Sequence, residues 1–144
     1  MLQTIIPAWH YTTGQRYKAV CENGVIRPSS PQNPGGELPI VWFSTHPYWE
    51  PTVPKAASMG EMLQLGGLVR LGVERSALLP WARLRNAARI PTHVAERWEL
   101  VGRMAGANPA DWYGSVEPVF LEDVVIVDVM EGEHWARVRP RVAE

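Results

Sequence analysis

The chain has 144 residues, of which 46% are apolar and 20% charged, with a formal net charge of −1. That length fits one compact domain over residues 1–144, and the apolar share is enough for a packed core and argues against disorder. The near-neutral balance excludes the plainest signature of a nucleic-acid binder, a strongly basic chain, although "WARLRNAAR" and "WARVRPR" could still form a local basic patch.

The opening "MLQTIIPAWHY" has no basic stretch followed by a long apolar run, so no signal peptide is expected. "TIIPAWHYT" is rich in strand formers, with Pro7 suiting a strand start or an edge. "TTGQRYKAVCENG" predicts a short helix. Thr12 or Thr13 can cap it, Tyr17, Val20 and Cys21 fall on one face, and Gly24 stops it. "VIRP" is a short extended piece and "SSPQNPGGELP" a loop. "IVWFST" is the clearest strand, apolar and β-branched, ending in hydroxyls. It runs into an aromatic loop, "HPYWEPT", and then "KAASMGEMLQLG", read as a helical turn or two.

"GLVRLGVER" alternates as a strand. "LPWARLRNAARI" predicts a helix from Pro80. "PTHVAERWELVGRMAGA" predicts a second helix with Val94, Trp98, Val101 and Ala105 on its apolar face. "NPADWYG" reads as a turn, "SVEPVFL" and "VVIVDVM" as strands linked by "ED", and "HWARVRP" as a final strand. Strands at both ends with helices grouped between them predict an α+β fold with a mostly antiparallel sheet. No apolar run approaches the roughly 20 residues of a membrane helix. The single Cys21 allows no internal disulfide and fits an intracellular, cytoplasmic location.

The polar groups with chemical potential are His10, Tyr11, Thr12, Ser44, Thr45, His46, Tyr48, Glu50 and Glu117. A metal site is not expected. The histidines at 10, 46, 93 and 134 form no His-x-x-x-His pair, and one cysteine gives no Cys-x-x-Cys. Ser44 and Ser115 have no Gly-x-Ser-x-Gly setting, and neither phosphate-loop nor Rossmann glycine patterns occur. Glu117 opens "SVEPVFLEDVVIVDV", where alternation places it on one side with Val119 and Leu121. Trp and Tyr favour clefts in which one edge stays wet, so Tyr48 and Trp49 read as a stacking wall.

Three stretches in order, "WHYTTGQRYKAVCENGVIRP", "WFST" and "SVEPVFLEDVVIVDV", resemble the ADP-ribosyltransferase-like proteins. The resemblance implies a split, mostly antiparallel sheet with flanking helices and an NAD-binding cleft between its halves. On this reading His10, with Tyr11 and Thr12 beside it, contacts the adenosine ribose or a phosphate. Ser44 and Thr45 support the nicotinamide ribose, and Tyr48 or Trp49 stacks on nicotinamide. Glu117 bonds the ribose 2′-hydroxyl and stabilises the oxocarbenium-like centre, with Glu133 in reserve. Many members carry Glu-x-Glu or Gln-x-Glu where this chain has Ser115 and Glu117, which points away from arginine as acceptor. The implied activity is transfer of ADP-ribose from NAD to a protein, a nucleic acid or water, in a small toxin- or effector-type enzyme. A non-catalytic nucleotide- or partner-binding module on the same fold is the alternative.

Overall fold

The structure, a computed structural model, describes residues 4–28, 36–53 and 66–140, with side chains described through Val138. β1 (Pro7–Thr13) leads into α1 (Gly14–Asn23) and β2 (Val25–Ile26). β3 (Val41–Ser44), β4 (Leu68–Glu74) and the two-residue β5 (Leu79–Pro80) follow. Then come α2 (Trp81–Ala87), α3 (Thr92–Met104) and β6 (Trp112–Ser115). β7 (Val119–Phe120), β8 (Val124–Glu131) and β9 (His134–Pro140) complete the chain. Seven strands form one sheet in the order β5-β6-β3-β1-β4-β8-β9, and β2 pairs with β7 separately. Every adjacent pair is antiparallel. The α+β class with a large antiparallel sheet is therefore as expected. No helix among the described residues is long and apolar enough to cross a membrane.

Local chemistry accounts for the first turn of the chain. Thr13 Oγ1 accepts the Arg16 N–H at 3.3 Å, capping α1. Gly24, at φ 74, ends it by donating its N–H to the Val20 carbonyl at 2.7 Å. Side-chain alternation then sorts the sheet into two faces. One face buries Ala8, Val41, Phe43, Val69, Leu71, Val73 and Val127 with Ile26 and Val119 of the small sheet, under Tyr17 and Val20 of α1. The other face carries the tryptophans. Trp81 and Trp112 are buried beside Trp42 and Trp98 at the α2–α3 end, and Trp9 and Trp49 are buried beside Tyr11 and Trp135 at the β8–β9 end.

Several expectations are corrected. Trp112–Gly114 is not part of a turn but the core of β6, preceded by a 3-10 turn over Pro109–Asp111. "SVEPVFL" is not one strand: β6 stops at Ser115, and β7 holds only Val119 and Phe120. Ser115 Oγ accepts the Glu117 N–H at 3.1 Å, a local turn that breaks the alternation. "ED" belongs to another 3-10 turn, Leu121–Asp123. On α3 the buried residues are Val94, Ala95 and Gly102, whereas Val101 is 58% exposed. The loop reading of "SSPQNPG" and the helical reading of Lys55 to Leu65 lie outside the described residues.

Gly102 is buried on α3 because the helix sits directly on Trp112. A Cβ there would meet Trp112 Cζ2 at 2.5 Å and Cη2 at 2.7 Å. Ala is ordinarily about 1 kcal/mol better than Gly inside a helix, yet this contact outweighs that gain. Gly102→Ala is expected to destabilise by about 1–3 kcal/mol, the range for overpacking a core. A urea midpoint raised by the substitution would show that α3 is not pressed against the ring.

Candidate functional site

β1 and β3 pair at a single position, Trp9 against Ser44. Beyond it the two strands part, and a cavity of about 570 Å³ opens beside them. Strict alternation would send His10 to the face opposite Ser44, but the parting lets both line the cavity. His10 Nδ1 lies 2.7 Å from the Trp42 carbonyl. A carbonyl only accepts, so the proton is on Nδ1, and Nε2 is left as an acceptor in the neutral ring. Burial lowers the His10 pKa below its usual 6.5. The bond to Trp42 opposes that shift, and the charge of Arg16 adds to it.

The walls are aromatic. Trp9, Trp42, Trp98 and Trp112 all line the cavity, with Trp42 packed edge-on to Trp98 and Trp112 at 6.1 and 6.4 Å between ring centres. Their interior companion is Glu50, a carboxylate only 4% exposed. Its Oε1 accepts the Ser44 hydroxyl at 2.9 Å. Its Oε2 accepts the Thr52 N–H at 3.0 Å, the Thr52 hydroxyl at 2.6 Å and the Trp112 indole N–H at 3.4 Å. Among the described residues, four donors and no acceptor bond to it, the set that suits a carboxylate. Arg97, exposed on α3, and Glu37 line the cavity as well.

Glu50 sits on the loop between Ser44 and Val53, and three consecutive carbonyls of that loop are gripped from the sheet. The Tyr11 hydroxyl donates to His46 O. Arg70 Nη1 donates to Pro47 O at 2.6 Å, and Trp135 Nε1 to Tyr48 O at 2.7 Å. Burial pushes the Tyr11 hydroxyl up to about 12, against the opposing effect of Arg70, so it remains a donor. Arg70 is itself held by Asp128 through Nε at 2.9 Å and Nη2 at 2.8 Å. Its guanidinium lies 3.8 Å from the Trp9 ring centre and 4.7 Å from that of Trp135.

Of the residues singled out from the sequence, the structure gathers His10, Tyr11, Ser44 and Glu50 at the cavity, but not the others. Thr12 is buried outside it. Thr45 ties the loop to Asp111, by N–H to O and by Oγ1 to Oδ1, each at 2.9 Å. Tyr48 donates its hydroxyl to the Glu133 carbonyl at 2.9 Å. Trp49 is buried and stacks parallel to Trp135, with 6.2 Å between ring centres. Glu117 and Glu133 are both exposed in turns away from the cavity lining. Sequence reasoning named Glu50 as a polar group without giving it a role, and it gave none to Trp42, Trp98, Trp112 or Arg97. The available signal was an acid lying between two hydroxyl residues, Ser44 and Thr52, in an aromatic loop. Compared with known proteins, the chain matches no family model, no curated protein and no solved structure.

Two expectations follow from this geometry. The folded chain keeps His10 neutral where the unfolded chain takes up a proton, near pH 6.5. The unfolded state then binds more protons, so stability falls as pH drops through and below that value. Chemical denaturation between about pH 7.5 and 5.5 is expected to show this loss, and His10→Gln to flatten it; equal slopes in both proteins would refute the buried, neutral ring. Arg70→Met removes the cation from a buried pair and is expected to cost about 3–5 kcal/mol. Trp135→Phe keeps a ring and removes one donor, for about 0.5–1.5 kcal/mol. Hydrogen exchange of the His46–Val53 amides is expected to accelerate in both variants, and unchanged exchange would detach the loop from these donors.

Proposed function

We propose that the cavity binds NAD and that the chain is an NAD-dependent ADP-ribosyltransferase acting on a protein, a nucleic acid or water. The observation that carries this reading is the parting of β1 and β3, with His10 in the gap and a buried carboxylate among tryptophan rings beside it. A split sheet holding a dinucleotide between its halves is what the ADP-ribosyltransferase-like resemblance implies. The cavity volume of about 570 Å³ lies inside the roughly 300–1,000 Å³ range of small-molecule sites.

Each residue has a physical task in this reading. Trp42, Trp98 and Trp112 offer flat faces to a planar ring. His10 presents Nε2 as an acceptor for a ribose hydroxyl. Arg97, exposed at the rim, supplies a cation for phosphate oxygens. Breaking the bond between nicotinamide and ribose develops positive charge on the sugar. A carboxylate already oriented by four donors stabilises that charge without reorganising, and the surrounding rings exclude water that would screen it. Glu50 takes this role rather than Glu117, because Glu50 is the buried carboxylate of the cavity. The second reading, a binding module without turnover, draws support from the same carboxylate: protein donors already engage both its oxygens, so it also serves as a brace for the loop.

Nicotinamide release from NAD separates these readings. Glu50→Gln is a conservative probe, since the amide oxygen can keep the Thr52 and Trp112 bonds while the amide nitrogen donates to the Ser44 hydroxyl. Its kcat is expected to fall by roughly 10²–10³ with KM little changed, the mark of an interaction made in the transition state. Glu117→Gln is the comparison: loss there with full activity in Glu50→Gln would return the role to Glu117. NAD binding by the wild-type protein with no nicotinamide release, across protein, DNA and RNA acceptors, would favour the binding module.

A further inference from the structure

Among the described residues, the buried Glu50 carboxylate forms no ion pair. Its four hydrogen bonds come from uncharged donors: Ser44, the Thr52 amide and hydroxyl, and Trp112. The ion pairs among the described residues join Arg70 and Arg137 to Asp128, and Arg85 and Arg103 to Glu99; none includes Glu50. Arg97, the basic residue of the lining, is exposed on α3. Hydrogen bonds satisfy the lone pairs of a buried carboxylate but leave its net charge, and burying a charge without a counter-charge is costly. Asp128 shows the contrast within the same chain. It too is buried, and it faces two guanidinium groups.

The surroundings of Glu50 also have a sign preference. Tryptophan ring faces are negative, and they attract a cation most strongly where water is excluded. The β8–β9 end of the same sheet face shows this done internally: Arg70 lies between Trp9 and Trp135 with Asp128 at its edge. At the cavity the same components occur, indole faces and a buried carboxylate, with open volume where the cation would be.

We infer that this cavity selects planar organic cations, of the N-alkylated pyridinium or quinolinium type, over neutral rings of the same shape, with Glu50 supplying the counter-charge and the tryptophans the stacking faces. The inference rests on reading the cavity as the ligand site. It adds to the NAD reading that the oxidised dinucleotide, whose nicotinamide ring is cationic, binds in preference to the reduced one, whose ring is neutral.

The test is calorimetric titration of the full chain with two matched pairs of probes, N-methylnicotinamide cation against nicotinamide and N-methylquinolinium against quinoline. The cations are expected to bind about tenfold tighter than their neutral partners, the scale of a desolvated cation–π contact with a nearby anion. In Glu50→Gln that preference is expected to fall to about twofold or less, and in Trp98→Leu to fall with folding retained, because Trp98 is only partly buried. Equal affinity for charged and neutral rings, no binding of either ring, or an undiminished preference in Glu50→Gln would overturn the inference. Cation preference without NAD binding or nicotinamide release would uphold it and remove the NAD reading. NAD turnover with no preference between the ring pairs would do the reverse.

Discussion

The guanidinium of Arg70 is the point on which the aromatic face of this protein depends. It meets Asp128 through two of its nitrogens, the Pro47 carbonyl through a third N–H donor, and the rings of Trp9 and Trp135. A buried ion pair alone is a weak source of stability, because both charges lose their water. Here the guanidinium recovers that loss through directed hydrogen bonds and stacking, which lysine could not reproduce. The arrangement fixes the loop that follows β3. With His46, Pro47 and Tyr48 each held by a carbonyl, the chain has little freedom left before Glu50, and the carboxylate reaches its donors in one geometry.

The parting of β1 from β3 depends on the same loop. β1 pairs with β4 along all seven of its residues and β3 with β6 along all four, whereas the edges that β1 and β3 turn to each other meet only at Trp9–Ser44. Bare backbone at such a gap would be costly. The His10 imidazole takes the Trp42 carbonyl, and the Ser44 hydroxyl accepts the His46 N–H at 3.1 Å while donating to Glu50. Side chains thus supply what a continuous ladder would have supplied, and the gap persists as a cavity rather than closing.

Much of the fold was legible in the sequence because its signals were local. The caps of α1, the β-branched run of β3 and the alternation of β4, β8 and β9 each lie within a few residues. β6 was not, since "NPADWYG" carries turn residues throughout. Its glycine answers to a distant contact instead: a Cβ on Gly114 would meet the Val41 carbonyl at 2.7 Å and Leu84 Cδ2 at 2.9 Å. The site divides in the same way. His10, Tyr11 and Ser44 could be found at strand ends, where a cleft lip is expected. Glu50 reads as a solvated acid between Trp49 and Pro51, and one of the donors that meet it in the fold, Trp112, lies 62 residues further on. Glu117 failed as a strand residue for the opposite reason: the hydroxyl of Ser115, two residues before it, made a turn that periodicity does not register.

All seven tryptophans lie on one face of the sheet, in two clusters of closely packed rings. Their electronic transitions are therefore coupled within each cluster, while the α1 side of the sheet contributes no indole at all. Near-ultraviolet circular dichroism of this protein is consequently a one-sided signal. It reports the rigidity of the cavity face and is blind to indole packing on the other, so a change confined to α1 and the small sheet would leave the indole bands unmoved. A loosening of the loop around Glu50 would alter them before the helical signal in the far ultraviolet had changed.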